Sequence, residues 1–99
     1  MNIRWDENKS QNNERIYGIC FDEACEIMKD PFQISILNKR LGYFIERWIS
    51  MGRVKNKIIV VGHKYIISGM GDEQIKIYSA RIATNKERQE YERIRLGRF

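Results

Sequence analysis

Apolar and polar residues alternate most regularly late in the chain. Ile75, Ile77 and Ser79 alternate with Lys76, Tyr78 and Ala80, the period of a half-buried strand. Thr84 and Glu87 follow with the spacing of a capping box, in which each side chain serves the other's backbone amide. A strand ending near Ala80 and a helix running from Asn85 to about Leu96 are predicted, with Gly97, Arg98 and Phe99 fraying. Residues 57–67 predict another strand, and its run Ile58-Ile59-Val60-Val61 predicts burial on both faces, as at the centre of a sheet. Residues 43–51 predict a third, with Ile45, Arg47, Ile49 and Met51 on one face and Glu46, Trp48 and Ser50 on the other. Lys55-Asn56 marks the turn between these two strands, and residues 68–72 form a flexible turn.

The first third reads differently. Residues 3–5 suit a short strand. Asp6 is a good N-cap for a helix through about Ile16, Glu7 and Arg15 complement its dipole, and Gly18 suits its C′ position. Its interior, residues 8–15, is very polar and predicts a surface helix. Phe21, Ala24, Cys25, Ile27 and Met28 follow helical spacing, and Pro31 disfavours helix at Asp30. Residues 32–37 form a plausible strand, and residues 38–42 a basic connection. The order is strand, helix, helix, three or four antiparallel strands, helix. This is an α+β fold with helices packed on a small twisted sheet. Phe21, Ala24, Ile27, Met28, Ile59, Val61, Ile75 and Ile77 are expected to share its core.

Ninety-nine residues suffice for a single domain with one modest core. No apolar run approaches membrane-spanning length, and the first ten residues lack the apolar region of a signal peptide, so a cytoplasmic protein without membrane contact is expected. Two Cys and one His make a zinc site a poor reading, and Cys20 and Cys25 are expected to be reduced and buried. The net charge of +5 is unevenly spread: −3 over residues 1–37, +6 over 38–64, −2 over 65–75 and +4 over 76–99. Such asymmetry suits one polyanion-facing surface, although solvated cations on hairpins and a helix would give it too.

Few residues offer chemistry. No carboxylate pair has metal-ligand spacing, so neither a metal nor another cofactor is expected, and neither Cys has a suitable His partner. Metal-free RNA cleavage remains, in which the 2′-hydroxyl attacks its own phosphate. It needs proton transfer and fixed cations around the phosphorane. His63 or Glu46 could handle protons, and Arg47, Lys64, Lys76 and Arg81 could supply charge. Arg81, between strand and helix, has a competing structural reading as the partner of Glu87 or Glu90, which local sequence favours.

The pieces together resemble the family of BrnT toxins. The first 31 residues carry W-D-x-x-K, a helix, G-I-x-F-x-x-A and D-P. Glu46-Arg47-Trp48, Gly52 and the apolar strand ending at His63 continue the pattern. I-x-I-x-S-A-R-x-A-x-x-x-E-R-x-x-Y closes it at Tyr91. The resemblance implies a RelE-like fold and a ribonuclease toxin that arrests translation. It implies a BrnA-type ribbon-helix-helix antitoxin that neutralises the toxin and, as a complex, binds operator DNA. The expected catalytic residues are Glu46, Arg47, His63, Lys76 and Arg81, with Lys64, Arg88 and Tyr91 contacting RNA. Tyr17 stands where the family usually has His, Lys64-Tyr65-Ile66 where Thr and a following Arg are common, and Lys76 where Arg is usual. Lys keeps the charge but loses the bidentate fork. The alternative reading is a weakly active or inactive relative that binds an antitoxin or nucleic acid.

Overall fold

The computed structural model describes residues 2–97; Arg98 and Phe99, two of the three residues expected to fray, lie outside them. The elements are β1 (Asn2–Trp5), α1 (Glu7–Tyr17), α2 (Phe21–Ala24) continued by a 3-10 turn (Cys25–Lys29), β2 (Ile34–Arg40), β3 (Ile45–Val54), β4 (Lys57–Ile67), β5 (Glu73–Ile82) and α3 (Asn85–Arg95). One five-stranded sheet has the order β1-β5-β4-β3-β2. It is mostly antiparallel, the exception being edge strand β1, which runs parallel to β5.

Local signals set most of the boundaries. The Asp6 carboxylate accepts from the amides of Asn8 and Lys9, and Gly18 ends α1 at φ 77°, a left-handed conformation that glycine adopts without penalty. Thr84 and Glu87 form the expected capping box. Strands β2 and β3 are displaced from their expected ranges. Their ladder extends beyond the apolar pattern, with Arg40 paired to Glu46 and Ile34 to Met51. The expected single helix over residues 21–28 tightens to a 3-10 turn at Cys25, a common helix ending. Asp30 closes it: its carboxylate accepts from the amides of Phe32 and Arg53 and from the Tyr91 hydroxyl, tying α2, β3 and α3 together.

The sheet buries residues on both faces. On the face covered by α2, Ile19, Phe21, Ala24, Ile27, Val54, Ile59, Val61, Ile77 and Ala80 form the main core, with Met28 partly buried against it. Ile75 is buried too, but it lines a cavity beside that core. On the opposite face, α3 covers Met51, Ile58 and Val60 through Tyr91. Each such side chain contributes roughly 1.5–3 kcal/mol on full burial.

Three expectations need correction. Cys20 and Cys25 are free but only half-buried. The polar helix α1 is not wholly superficial. Ser10 accepts from the Phe21 amide, and Asn13 exchanges hydrogen bonds with both backbone groups of Ala80, so a side-chain amide completes the edge of β5 beyond the end of β1. Strict alternation in β5 also fails. Gly62 lies opposite Ser79 and His63 opposite Ile77, leaving Tyr78 as the extra residue of a bulge. The bulge puts Ala80 in the core with Ile77 and turns Arg81 to the other face, where alternation would have placed it with Ile77.

Candidate functional site

Residues opposite one another in a ladder share a face of the sheet. The registers pair Lys39 with Arg47, Arg47 with Lys64, Lys64 with Lys76, and Lys76 with Arg4. All five strands therefore contribute one cation to a single cross-strand row on the α3 face. At about 4.8 Å between strands the row is roughly 19 Å long. None of the strand residues on this face is acidic, and none of the five cations forms an ion pair among the described residues. A second bulge, at Asn38, restores Lys39 to this face.

Arg47 is half-buried. Its guanidinium lies 5.4 Å from the centroid of the Tyr78 ring, while its Nε is buried without a partner. Tyr78 lies across Gly62, where a Cβ would stand 2.9 Å from the ring and 2.5 Å from Ser79 Oγ. Beyond this stack, Tyr17, Ile49, Gly62, Tyr78, Ser79 and Arg81 line a slot of about 180 Å³. Arg81 Nη1 and Nη2 donate to the two carboxylate oxygens of Glu87 at 2.7 and 2.9 Å. That pairing, more than the capping bonds from Thr84, holds the Glu87 carboxyl down to about 2.

Glu46 and His63 are not part of this arrangement. Glu46 pairs with Tyr65, and Trp48 with His63, on the α2 face. These four side chains help to line a cavity of about 440 Å³ with Met28, Gln33 and Ile75 among others. His63 is 6% exposed, and Nε2 shares a hydrogen bond of 2.8 Å with Ser50 Oγ, which in turn bonds Ser35 Oγ. Burial lowers its pKa to about 4, so the ring is neutral at physiological pH. Glu46 accepts from Trp48 Nε1 and pairs with Arg40. The sheet therefore separates both expected proton carriers from the cations they were expected to serve.

Of the three expected RNA contacts, Lys64 lies in the row. Arg88 is exposed on α3. Tyr91 is 1% exposed, donates its hydroxyl to Asp30 and lies under Arg53, so it is a core residue of α3. Lys39 and Arg4 were missed. Arg4 could have been noticed because it alternates with Ile3 and Trp5, whereas Lys39 depends on the bulge beside it.

The fold and the site define a small α+β domain with helices on both faces of one sheet and an in-register row of five cations on the face that carries α3. Residues 5–87 match the family model described as the ribonuclease toxin, BrnT, of type II toxin–antitoxin systems, and the chain belongs to that family. No curated protein matches it. A type II system implies a protein antitoxin as partner. Among the described residues no helix is long and apolar enough to cross a membrane, and no group of three or more His, Cys, Asp or Glu side chains is placed to hold a metal ion.

Proposed function

We propose that the chain is a metal-independent endoribonuclease whose α3 face holds RNA along the cation row. The observation that carries this reading is the row itself. Like charges directly opposite one another destabilise a sheet, by up to about 1 kcal/mol per adjacent pair even in bulk water. A bound polyanion reverses that cost. Arg47, Lys64 and Lys76 at the centre of the row are suited to hold the scissile phosphate and to stabilise the charge that builds as the 2′-oxygen bonds to phosphorus and the 5′-oxygen leaves, the 2′-hydroxyl proton passing to solvent water and the 5′-oxygen taking one from it. Arg81, across the slot, has its charge matched by Glu87 and adds to the row only when phosphate displaces that carboxylate. Among the described residues no carboxylate cluster stands on the α3 face to hold a metal, and the chemistry is assigned to positioning and fixed charge.

The fold is read as RelE-like, and the biological effect as inhibition of translation and growth arrest in the cytoplasm. The partner is read as a BrnA-type ribbon-helix-helix antitoxin whose complex with the toxin binds operator DNA. The row, flanked on its own face by exposed Ile36, Ile45 and Ile49, suits an acidic, amphipathic antitoxin segment. A second reading, an inactive binding module, draws on one observation: Arg81 is already held bidentately by Glu87.

The test is a cleavage assay on single-stranded RNA. Purified protein should cleave with or without a chelator, and the Lys64→Ala/Lys76→Ala double variant should lose most activity while its circular dichroism stays native. Full activity in the folded variant would overturn the site. Complete inhibition by the chelator would overturn metal independence.

A further inference from the structure

Tyr17 is 57% exposed at the last turn of α1, yet it does not face open solvent alone. It forms one wall of the 180 Å³ slot on the α3 face, with Tyr78, Ser79 and Arg81 around the rest. Three features give the slot its shape. Asn13 fixes α1 at the free edge of β5, which lets the end of the helix reach round to this face. The bulge turns Tyr78, Ser79 and Arg81 to the same side. Gly62 leaves room for the Tyr78 ring to come close against β4. Ile49 lines the slot and lies two residues along β3 from Arg47, thus about 7 Å from the row, the reach of a base from its own phosphate.

We propose that this slot takes one unpaired nucleobase of the RNA whose phosphates lie on the cation row, stacked on Tyr17. The inference rests on the reading of the row as the RNA-binding surface. A slot lined by the phenol rings of Tyr17 and Tyr78 beside a track of cations without ion pairs meets the two needs of single-strand binding, a stacking platform and backbone neutralisation. Stacking is open to every base, because each has a π-face. Bases held in a duplex cannot enter, so the slot selects single-stranded RNA.

The experiment measures affinity for two uncleavable probes: a 2′-O-methyl RNA hexamer and a sugar-phosphate oligomer of the same length without bases. Wild type, Tyr17→Ala, Tyr17→Phe and Lys64→Ala are compared. Loss of one stacked base weakens Tyr17→Ala on the hexamer by about 5- to 140-fold and leaves its affinity for the base-free oligomer unchanged. Tyr17→Phe keeps the ring and stays near wild type on both probes. Lys64→Ala weakens both probes alike and so tests the row by itself. Wild-type affinity of Tyr17→Ala for the hexamer, or an equal loss on both probes, would overturn the slot and leave the row standing. A slot effect with no effect of Lys64→Ala would overturn the row. Failure of the wild type to bind either probe would overturn both.

Discussion

His63 and Lys64 are adjacent in sequence and face opposite ways from β4, so burial acts on one and solvent on the other. The consequence for His63 can be measured. Its pKa falls from 6.5 in an unstructured chain to about 4 in the fold. Between those values the unfolded chain binds more protons, and stability must fall as pH drops through that window, by about 3 kcal/mol at most. Urea midpoints of the wild type should therefore fall between pH 7 and pH 4, and His63→Gln should lose most of that dependence. Equal slopes would show that the ring is not held neutral by burial. Glu87, held at about 2, and Asp30 act lower. Burial alone would raise the Asp30 carboxyl, but bonds from Tyr91, Arg53 and Phe32 hold it below its ordinary value, so both groups stabilise the fold above the ordinary carboxylate range and cease to do so as acid titrates them.

Strands carry most of the architecture, and β5 shows what a single sequence reveals of it. The bounds of β4, the Asp6 cap, the Gly18 stop and the capping box at Thr84 were legible because each depends on residues within one turn or one strand. The two faces of β3 were legible for the same reason. The bulge at Tyr78 was not. Residues 75–80 alternate smoothly, and the bulge is settled by contacts with Gly62 on β4 and Asn13 on α1, both distant in sequence. The buried positions of Ser10 and Asn13 were hidden likewise, because polar residues satisfied by a strand edge look like surface. Candidate residues were identified by type but not by face. Arg47, Lys64 and Lys76 share a row, Arg81 takes the structural partner that was weighed for it, and Glu46, His63 and Tyr91 fall elsewhere. The bulge region is sensitive to one atom. A Cβ at Gly62 would meet Ser79 and Tyr78 at 2.5 and 2.9 Å. Gly62→Ala should cost roughly 1–3 kcal/mol as an overpacked site and displace the Tyr78 ring from Arg47. A denaturation curve matching the wild type would contradict this packing.

The whole molecule divides its work between two faces. The α2 face builds the main core and an apolar cavity around a neutral His63, whereas the α3 face collects charge from all five strands around a small second core at Tyr91. An RNA strand on the row releases counterions in proportion to the phosphates neutralised. With three to five phosphates engaged, log K should fall against log salt with a slope of about −2 to −3.5, and Lys64→Ala/Lys76→Ala should flatten it. A slope near zero would argue against a phosphate track. The most direct test of where RNA lies is lysine acetylation read by mass spectrometry, with and without the uncleavable hexamer. RNA should protect Lys39, Lys64 and Lys76, while Lys29 and Lys57, which pair with Glu26 and Glu23 away from the row, stay as reactive as before. Protection of Lys29 or Lys57 with the three row lysines still open would contradict the account.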